Sequence, residues 1–417
     1  MRATKAIYPL SAVRALALYT QGLTAPHERG IAPTPEVIYQ IVDQLGCVQI
    51  DTLQMVQRSH YLVLWSRLGA YESADLDHLV YQPGQRRLFE GWQHAASFIP
   101  LTEYRYQMPH QRRLREEPGE WFLDWLSNPQ HAALLPQALE RIRQEGAIRA
   151  GDFKYDGPKR GSWWDWKPAK VALEHLFAHG DLMIAGRVNF QRVYNLTERV
   201  LPDWVDTRAP TMEQRNRFWA ERAARALGVF QPIQIAEYTF MKRGLAKPYV
   251  EELLEGEVCL PVKARLADGK VHTLAVHRES LPLLEKAVDG HITPQRTTFL
   301  SPFDSLFWAR RRDELFWNFR NVLEAYKPAG QRQWGYFCLP ILHQDRLVGR
   351  FDPKLERRDG HLRIKALYLE PGIPLEDEII SGIAAAMRDF LAFHNATNLS
   401  IERSDPPEFA AQLMAAL

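Results

Sequence analysis

Hydrophobic positions in the first hundred residues recur at the spacing of a single helix face. In "PEVIYQIVDQLG" the stripe is Val37, Ile38, Ile41, Val42 and Leu45, and Gly46 suits the position just beyond a helix C-terminus. Ser11 is placed as the N-cap of an earlier helix, "AVRALALYTQGL", and "YLVLWSRLG" supplies a later helical run. Before that run, "CVQID" (47–51) breaks the period. As extended backbone it sends Val48 and Ile50 to one side and Gln49 and Asp51 to the other. A second reading makes Asp51 the N-cap of a short helix, "TLQMV".

From residue 121 to 205 the order is helix ("LLPQALERIRQEG", closed by Gly146), a short turn or helix ("AIRAGDF"), and helix ("WKPAKVALEHLFAHG", closed by Gly180). Two strands around Gly186 follow in "DLMIAGRVNFQRVYNL". Helix, short helix, helix and hairpin is the order of a winged helix, whose third helix enters the DNA major groove. Residues 206–293 repeat it: "TMEQRNRFWAERAARALG", "PIQIAEYTF" and "AKPYVEELLEG" are helical. A hairpin then turns at Asp268-Gly269. Residues 294–417 alternate and turn as strands, with a helix in "DEIISGIAAAMRDFLAFHNA". The expected division is 1–120, 121–205, 206–293 and 294–417, in an α+β fold.

Composition changes this picture little. With 417 residues, 46% hydrophobic and 24% charged, the chain can bury cores without disulfides or metals. Cys47, Cys259 and Cys338 are odd in number and far apart, which fits a reducing compartment, and a cytoplasmic protein is expected. Neither an 18-residue apolar run nor a signal-peptide pattern appears, so no membrane association is expected. A net charge of +2 leaves nucleic acid open, because binding depends on local basic stripes.

Several chemistries lack their motifs. There is no GxGxxG after a strand, no GxxxxGK[ST], no HExxH, no zinc-deaminase signature and no GxSxG. The fourteen histidines are scattered. Neither a metal nor an organic cofactor is expected.

The most DNA-like stretch is "KYDGPKRGSWWDWKPAKVALEHL". Lys159, Arg160, Lys167 and Lys170 lead into the third helix of the second block, and Arg187 and Arg192 lie on or beside its wing. Such cations suit phosphate contacts. A solvated loop, part-neutralised by Asp152, Asp156 and Asp165, is the competing reading. Trp163, Trp164 and Trp166 are either stacking surfaces for an unpaired base or core residues. Arg58 and His60, just after the 49–51 segment, complete the candidate DNA-contacting set.

Helix–QID–helix, "GSWWDWKPAK…LEHLF", "RVNFQRVYNLTERVLPDW", "LSPFD" and "QWGYFCLPILHQDRLVGR" together resemble the AlkZ/YcaQ family of winged-helix DNA glycosylases, in matching order over nearly the whole chain. The resemblance implies three tandem winged-helix units and a C-terminal β-barrel-like region around a DNA-binding concavity. It further implies a monomer acting on double-stranded DNA, nucleoid-associated when bound, that excises N7-alkylated purines and unhooks interstrand crosslinks. The family's catalytic element is Gln-Φ-Gln in one branch and Gln-Φ-Asp in the YcaQ branch; here Gln49-Ile50-Asp51 matches the second.

The chemistry suits those residue types. An N7-alkylguanine is already cationic, so its departure needs no strong general acid. Positive charge develops on the sugar, and a carboxylate near C1′ with a polar partner for the attacking water serves it, as in glycoside hydrolysis. Asp51 fits the first role and Gln49 the second. Two alternatives stand beside this reading: a non-catalytic winged-helix DNA-binding protein such as a transcription regulator, and a structural or scaffolding protein in which Gln49 and Asp51 merely cap a helix.

Overall fold

Three stretches of the chain each open with a helix and a strand of only two residues. In the computed structural model, which describes residues 7–27, 30, 32–153 and 167–417, these are Pro35–Leu45 with Val48–Gln49, Pro129–Glu145 with Ile148–Arg149, and Met212–Leu227 with Val229–Phe230. One or two described α-helices and two longer strands follow each time. The first stretch continues with Ser59–Leu68, Ser73–Tyr81, Leu88–Trp92 and Ala96–Pro100. The second continues with Pro168–Ala178 and the hairpin Leu182–Val188/Gln191–Leu196. The third has Ile233–Thr239, Arg243–Glu255 and the hairpin Cys259–Arg265/Val271–His277. In the second and third stretches the two-residue strand pairs antiparallel with its hairpin.

The chain forms two compact units. The larger comprises the residues up to Ser73, Gln93–Ser97 and Asn216–Leu417. Within it the strand Ile7–Tyr8 runs parallel to Cys259–Arg265, and the next helix, Leu10–Thr20, buries Ala12, Val13, Leu16 and Ala17 in a cluster with Val262, Leu274, Val276, Leu306 and Phe316. A six-stranded sheet follows, ordered Thr297–Phe299, Leu339–His343, Arg346–Glu356, His361–Leu369 and Asn398–Ile401, with Ser404–Asp405 also on His361–Leu369. Register shifts at Ile341/Leu342 and Asp352/Pro353 increase local twist, so the sheet curls as a half-barrel. The helix Asp377–Phe393 sends Phe390 onto it, edge-to-face with Phe299 at 5.4 Å and Phe351 at 6.2 Å. The architecture is therefore mixed, helical stretches with antiparallel hairpins preceding a curled sheet.

The smaller unit comprises Ala74–Trp92 and Phe98–Arg215. Its core gathers Ala138, Ile142, Ile148, Leu173, Leu176, Phe177, Ile184 and Tyr194. The helical stripe of Pro129–Glu145 supplies the first two, and alternate strand positions supply the last two.

Three local expectations are corrected. The first helix starts at Leu10 with Pro9 at the N-cap; a proline has no N–H to satisfy and its fixed φ suits helix entry, so Ser11 lies inside the first turn. Gly186 is not the hairpin turn but sits at a register shift within Leu182–Val188. The turn is Asn189-Phe190, both left-handed (φ 48° and 65°), the geometry of a two-residue hairpin loop. Phe190 tolerates this because the Arg187 guanidinium lies 4.1 Å from its ring centroid and donates to its carbonyl at 2.7 Å. Finally, "TLQMV" is not helical. Among the described residues no helix is long and apolar enough to cross a membrane.

Candidate active site

The helix Pro35–Leu45 ends at Gly46, whose φ of +84° a side chain would resist. The Tyr238 hydroxyl donates to the Leu45 carbonyl at 2.8 Å. Beyond it, Cys47, Val48 and Ile50 are buried, while Gln49 and Asp51 are half-buried. That alternation follows from extended backbone, and the Ile50 N–H donates to the Ala96 carbonyl at 2.7 Å. Gln49 and Asp51 therefore share one side of a segment whose other side is anchored in the core.

Asp51 closes an Asx turn: its Oδ1 accepts the Leu53 N–H at 2.8 Å. Partial burial raises its pKa above the ordinary aspartate value, and the amides of Leu53 and Thr52 oppose the rise. The group is thus a desolvated carboxylate with one oxygen committed to backbone. Among the described residues, none hydrogen-bonds the Gln49 side-chain amide.

The flanks are fastened by distant segments of the same unit. The Met55 carbonyl accepts the Leu355 N–H at 2.9 Å, and Arg357 donates to the Val56 carbonyl. The helix Ser59–Leu68 is tied at its start by Ser59 Oγ to Ser301 Oγ at 2.7 Å. At its end, Arg67 makes a two-pronged bond to Asp304 at 2.6 and 2.9 Å, with both side chains fully buried. Trp65 packs between these ties, 4.9 Å from Phe390 and 5.9 Å from Phe299. Burial pushes the nearby His94, in the same turn as Ala96, down to about 4, so it is neutral at neutral pH. Its ring stacks on Trp308 at 4.1 Å, 3° from parallel.

The other candidate residues fare differently. His60 is 1% exposed, its ring 4.3 Å from that of Tyr61, which does not offer it to DNA. Arg58 is half-buried at the N-cap of Ser59–Leu68. In the smaller unit, Lys167 is exposed at the N-cap of Pro168–Ala178 and Lys170 is half-buried in its first turn. Lys159, Arg160, Trp163, Trp164 and Trp166 lie outside the described residues.

Arg187 and Arg192 do not face solvent. Arg187 grips the fully buried Glu90 at 2.6 and 2.7 Å. Arg192 bonds Glu90 at 3.2 Å and Glu174 at 2.6 Å. Tyr81 and Tyr194 donate to the same two carboxylates at 2.7 and 2.9 Å. Burial alone would raise the Glu90 pKa; Arg192 and Arg187 reverse this and hold it low. A phosphate would have to displace this network, so the wing arginines serve the smaller unit's own packing. Glu90 carried no sequence signal, because its partners lie about a hundred positions away.

Three buried thiols are free, and among the described residues no group of three or more His, Cys, Asp or Glu side chains is placed to hold a metal ion.

A half-buried carboxylate and an amide side by side suit hydrolysis of a bond whose leaving group departs easily. The comparisons with known proteins give the class. The model of the DNA glycosylase AlkZ-like family matches residues 42–393, a span that contains both Gln49 and Asp51. The chain belongs to that family, and is accordingly a DNA glycosylase, a hydrolase of N-glycosyl bonds. Among solved structures it is similar to the Streptomyces sahachiroi DNA glycosylase AlkZ. The TM-score is 0.59 at 11% identity, covering 95% of this chain and 100% of that one. At that identity the likeness speaks for the fold.

Proposed function

We propose that this chain hydrolyses the N-glycosidic bond of N7-alkylated, cationic purines in double-stranded DNA, and unhooks interstrand crosslinks made through such purines. The observation that carries the proposal is the pairing of Gln49 with a half-buried Asp51 on one side of an extended segment. In the step proposed, the C1′–N9 bond breaks and its electron pair goes to N9, so the cationic purine leaves neutral. A water oxygen bonds to C1′, and one of that water's protons passes to Asp51. Ionised Asp51 also stabilises the oxocarbenium-like sugar, more effectively for being part-desolvated. The Gln49 amide orients the water, donating or accepting as required. Water is assigned as the nucleophile and the enzyme as monofunctional; the 49–51 segment itself holds no lysine for a Schiff base, and a lysine distant in sequence is the competing nucleophile.

The three helix–strand–hairpin stretches are read as winged-helix units. Lys167 and Lys170, at the start of a helix preceding a hairpin, are assigned phosphate contacts, with Lys159, Arg160 and Arg58 as further candidates. A crosslinked base is tied to the opposite strand and cannot swing freely into a deep pocket, so the chemistry is assigned to an open cleft.

The Asx turn at Asp51 favours one rival reading, in which Asp51 is only a turn residue and another group of this glycosylase carries the chemistry. Matched duplexes, each carrying one lesion, separate the two after alkaline cleavage of abasic sites. N7-methylguanine and N3-methyladenine are expected to be released, and uracil and 8-oxoguanine to remain. The neutral bases need protonation that Gln49 cannot supply and ionised Asp51 opposes. Release of none of the cationic lesions would overturn the proposed substrate class, and efficient uracil release would require a general acid besides these two residues.

A further inference from the structure

The loop from Asn321 to Tyr336 is fastened by three carboxylates. The Asn321 N–H donates to Asp313 Oδ2 at 2.7 Å, and its amide to the Pro302 carbonyl at 3.0 Å. Glu324, 2% exposed, accepts the N–H groups of Trp334 at 2.7 Å, Gln333 at 3.1 Å and Gly335 at 3.4 Å. It also pairs with Lys327 at 2.9 Å. Asp352 then accepts from Tyr336 and Phe337 at 2.9 and 3.0 Å. Arg332 bonds the Lys327 carbonyl at 2.9 Å, with its guanidinium 4.9 Å from the Tyr336 ring centroid.

On this fixed backbone Tyr326 stands 76% exposed, the most exposed large apolar or aromatic side chain among the described residues. Geometry places it near the chemistry: the loop's ends are tied to Pro302 and Asp352, and their chain neighbours Ser301 and Leu355 hold Ser59 and Met55 in the segment that follows Asp51. Its phenol resists ionisation first through what burial it has, then because it lies within reach of the Asp51 charge, with Tyr336 next. Exposed aromatic surface on a rigid loop beside a carboxylate has the makings of a binding platform, since little freedom remains to be lost when a ligand docks. The face of a tyrosine ring carries negative potential and attracts a cation placed over it. A neutral base would gain stacking alone.

We propose that Tyr326 is a specificity-determining residue, whose ring stacks on the cationic purine presented to Asp51 and so favours alkylated over undamaged bases. The inference rests on the cationic-purine reading above and names the group that recognises that substrate.

The test measures equilibrium binding of the full chain carrying Asp51→Asn to two duplexes of one sequence, with N7-methylguanine or guanine at a single position. Tyr326→Leu keeps apolar bulk without a π face, Tyr326→Phe keeps the face without the hydroxyl, and Tyr326→Trp enlarges the face. The leucine variant is expected to lower the ratio of lesion to undamaged affinity by roughly tenfold, with undamaged-duplex affinity falling by less, since a neutral base loses stacking alone. The phenylalanine variant should stay within about threefold, and the tryptophan variant should match or exceed the parent. A ratio unmoved by leucine overturns the inference. So does a phenylalanine variant as impaired as leucine, since the hydroxyl would then be what matters. Base release by the wild-type chain, run in parallel, separates the two levels. A wild type that releases N7-methylguanine while the leucine variant keeps its preference sinks the inference alone. One that neither releases nor prefers the lesion sinks the cationic-purine reading with it.

Discussion

Replacing Asp51 by Asn and by Ala separates the charge of that residue from its hydrogen bond. Asn retains an Oδ1 acceptor for the Leu53 N–H, which sits at 2.8 Å in the wild type, so the Asx turn persists; Ala removes it, at about 1 kcal/mol. Charge acts on stability with the opposite sign. The folded-state pKa of Asp51 is raised, chiefly by desolvation, so between its unfolded and folded pKa values the native state binds more protons. Stability from this group is present at low pH and is lost as pH rises through that window. Asp51→Asn is therefore expected to melt at or above the wild-type temperature at neutral pH, with the difference closing in acid, and Asp51→Ala to melt below Asp51→Asn. Activity should move the other way. Loss of one preorganised charge costs about 10²–10³ in the single-turnover rate of N7-methylguanine release, with duplex affinity nearly intact. In the wild type the acid limb of kcat/KM should lie above the ordinary aspartate value near about 3.9, because only ionised Asp51 works, and neither variant should show it. Single-turnover rates across the acid and neutral range, with melting curves on the same samples, give all of these quantities. An Asp51→Asn rate within about twofold of wild type would refute the assignment.

Three further outcomes follow from the same geometry. Asp304→Asn leaves the Arg67 guanidinium buried without its counter-charge and should cost about 3–5 kcal/mol in denaturant unfolding; an unchanged midpoint would show that the pair contributes little. Burial pushes the Glu324 pKa up, but the Trp334 amide, Lys327 and two further amides carry it down to about 2. Its contribution, at most about 3 kcal/mol, is present above the ordinary glutamate pKa and lost as pH falls toward about 2, so Glu324→Gln should flatten the acid limb of the stability curve, and a curve parallel to wild type would refute this. Replacing Lys167 and Lys170 by Ala should weaken binding to any duplex sequence and lower the salt slope by about 0.9 for each phosphate no longer neutralised, whereas an unchanged slope would make them a solvated face.

What was legible in the sequence was what local backbone geometry controls. The stripe from Val37 to Leu45 forms the helix Pro35–Leu45, and Gly46 takes the positive φ expected past its end, because both depend on neighbours within one turn. Where local signals competed, the reading slipped. Gly186 looked like the turn of its hairpin, yet Asn189-Phe190 is the turn, held by an arginine that a composition-based reading would place in solvent. Charged residues face water unless paired, and pairing is a long-range fact. Arg187 and Arg192 were credible phosphate contacts until Glu90 stood between them.

The same division runs through the site. That Gln49 and Asp51 share a side was legible from a period of two residues; what holds them there was not. The segment is extended because Ile50 finds the Ala96 carbonyl, and its continuation is placed by Leu355. Behind it, the following helix is bolted by Ser301 and Asp304. Both belong to "LSPFD", one of the strings that carried the family resemblance. A carboxylate part-removed from water at a cost to stability needs such a frame, since a looser segment would relax and rehydrate it. Part of the resemblance therefore reflects support of the QID segment rather than contact with DNA. On that argument, substitutions at Ser301 or Asp304 that leave the protein folded should still slow base release, by releasing a strand end they do not touch.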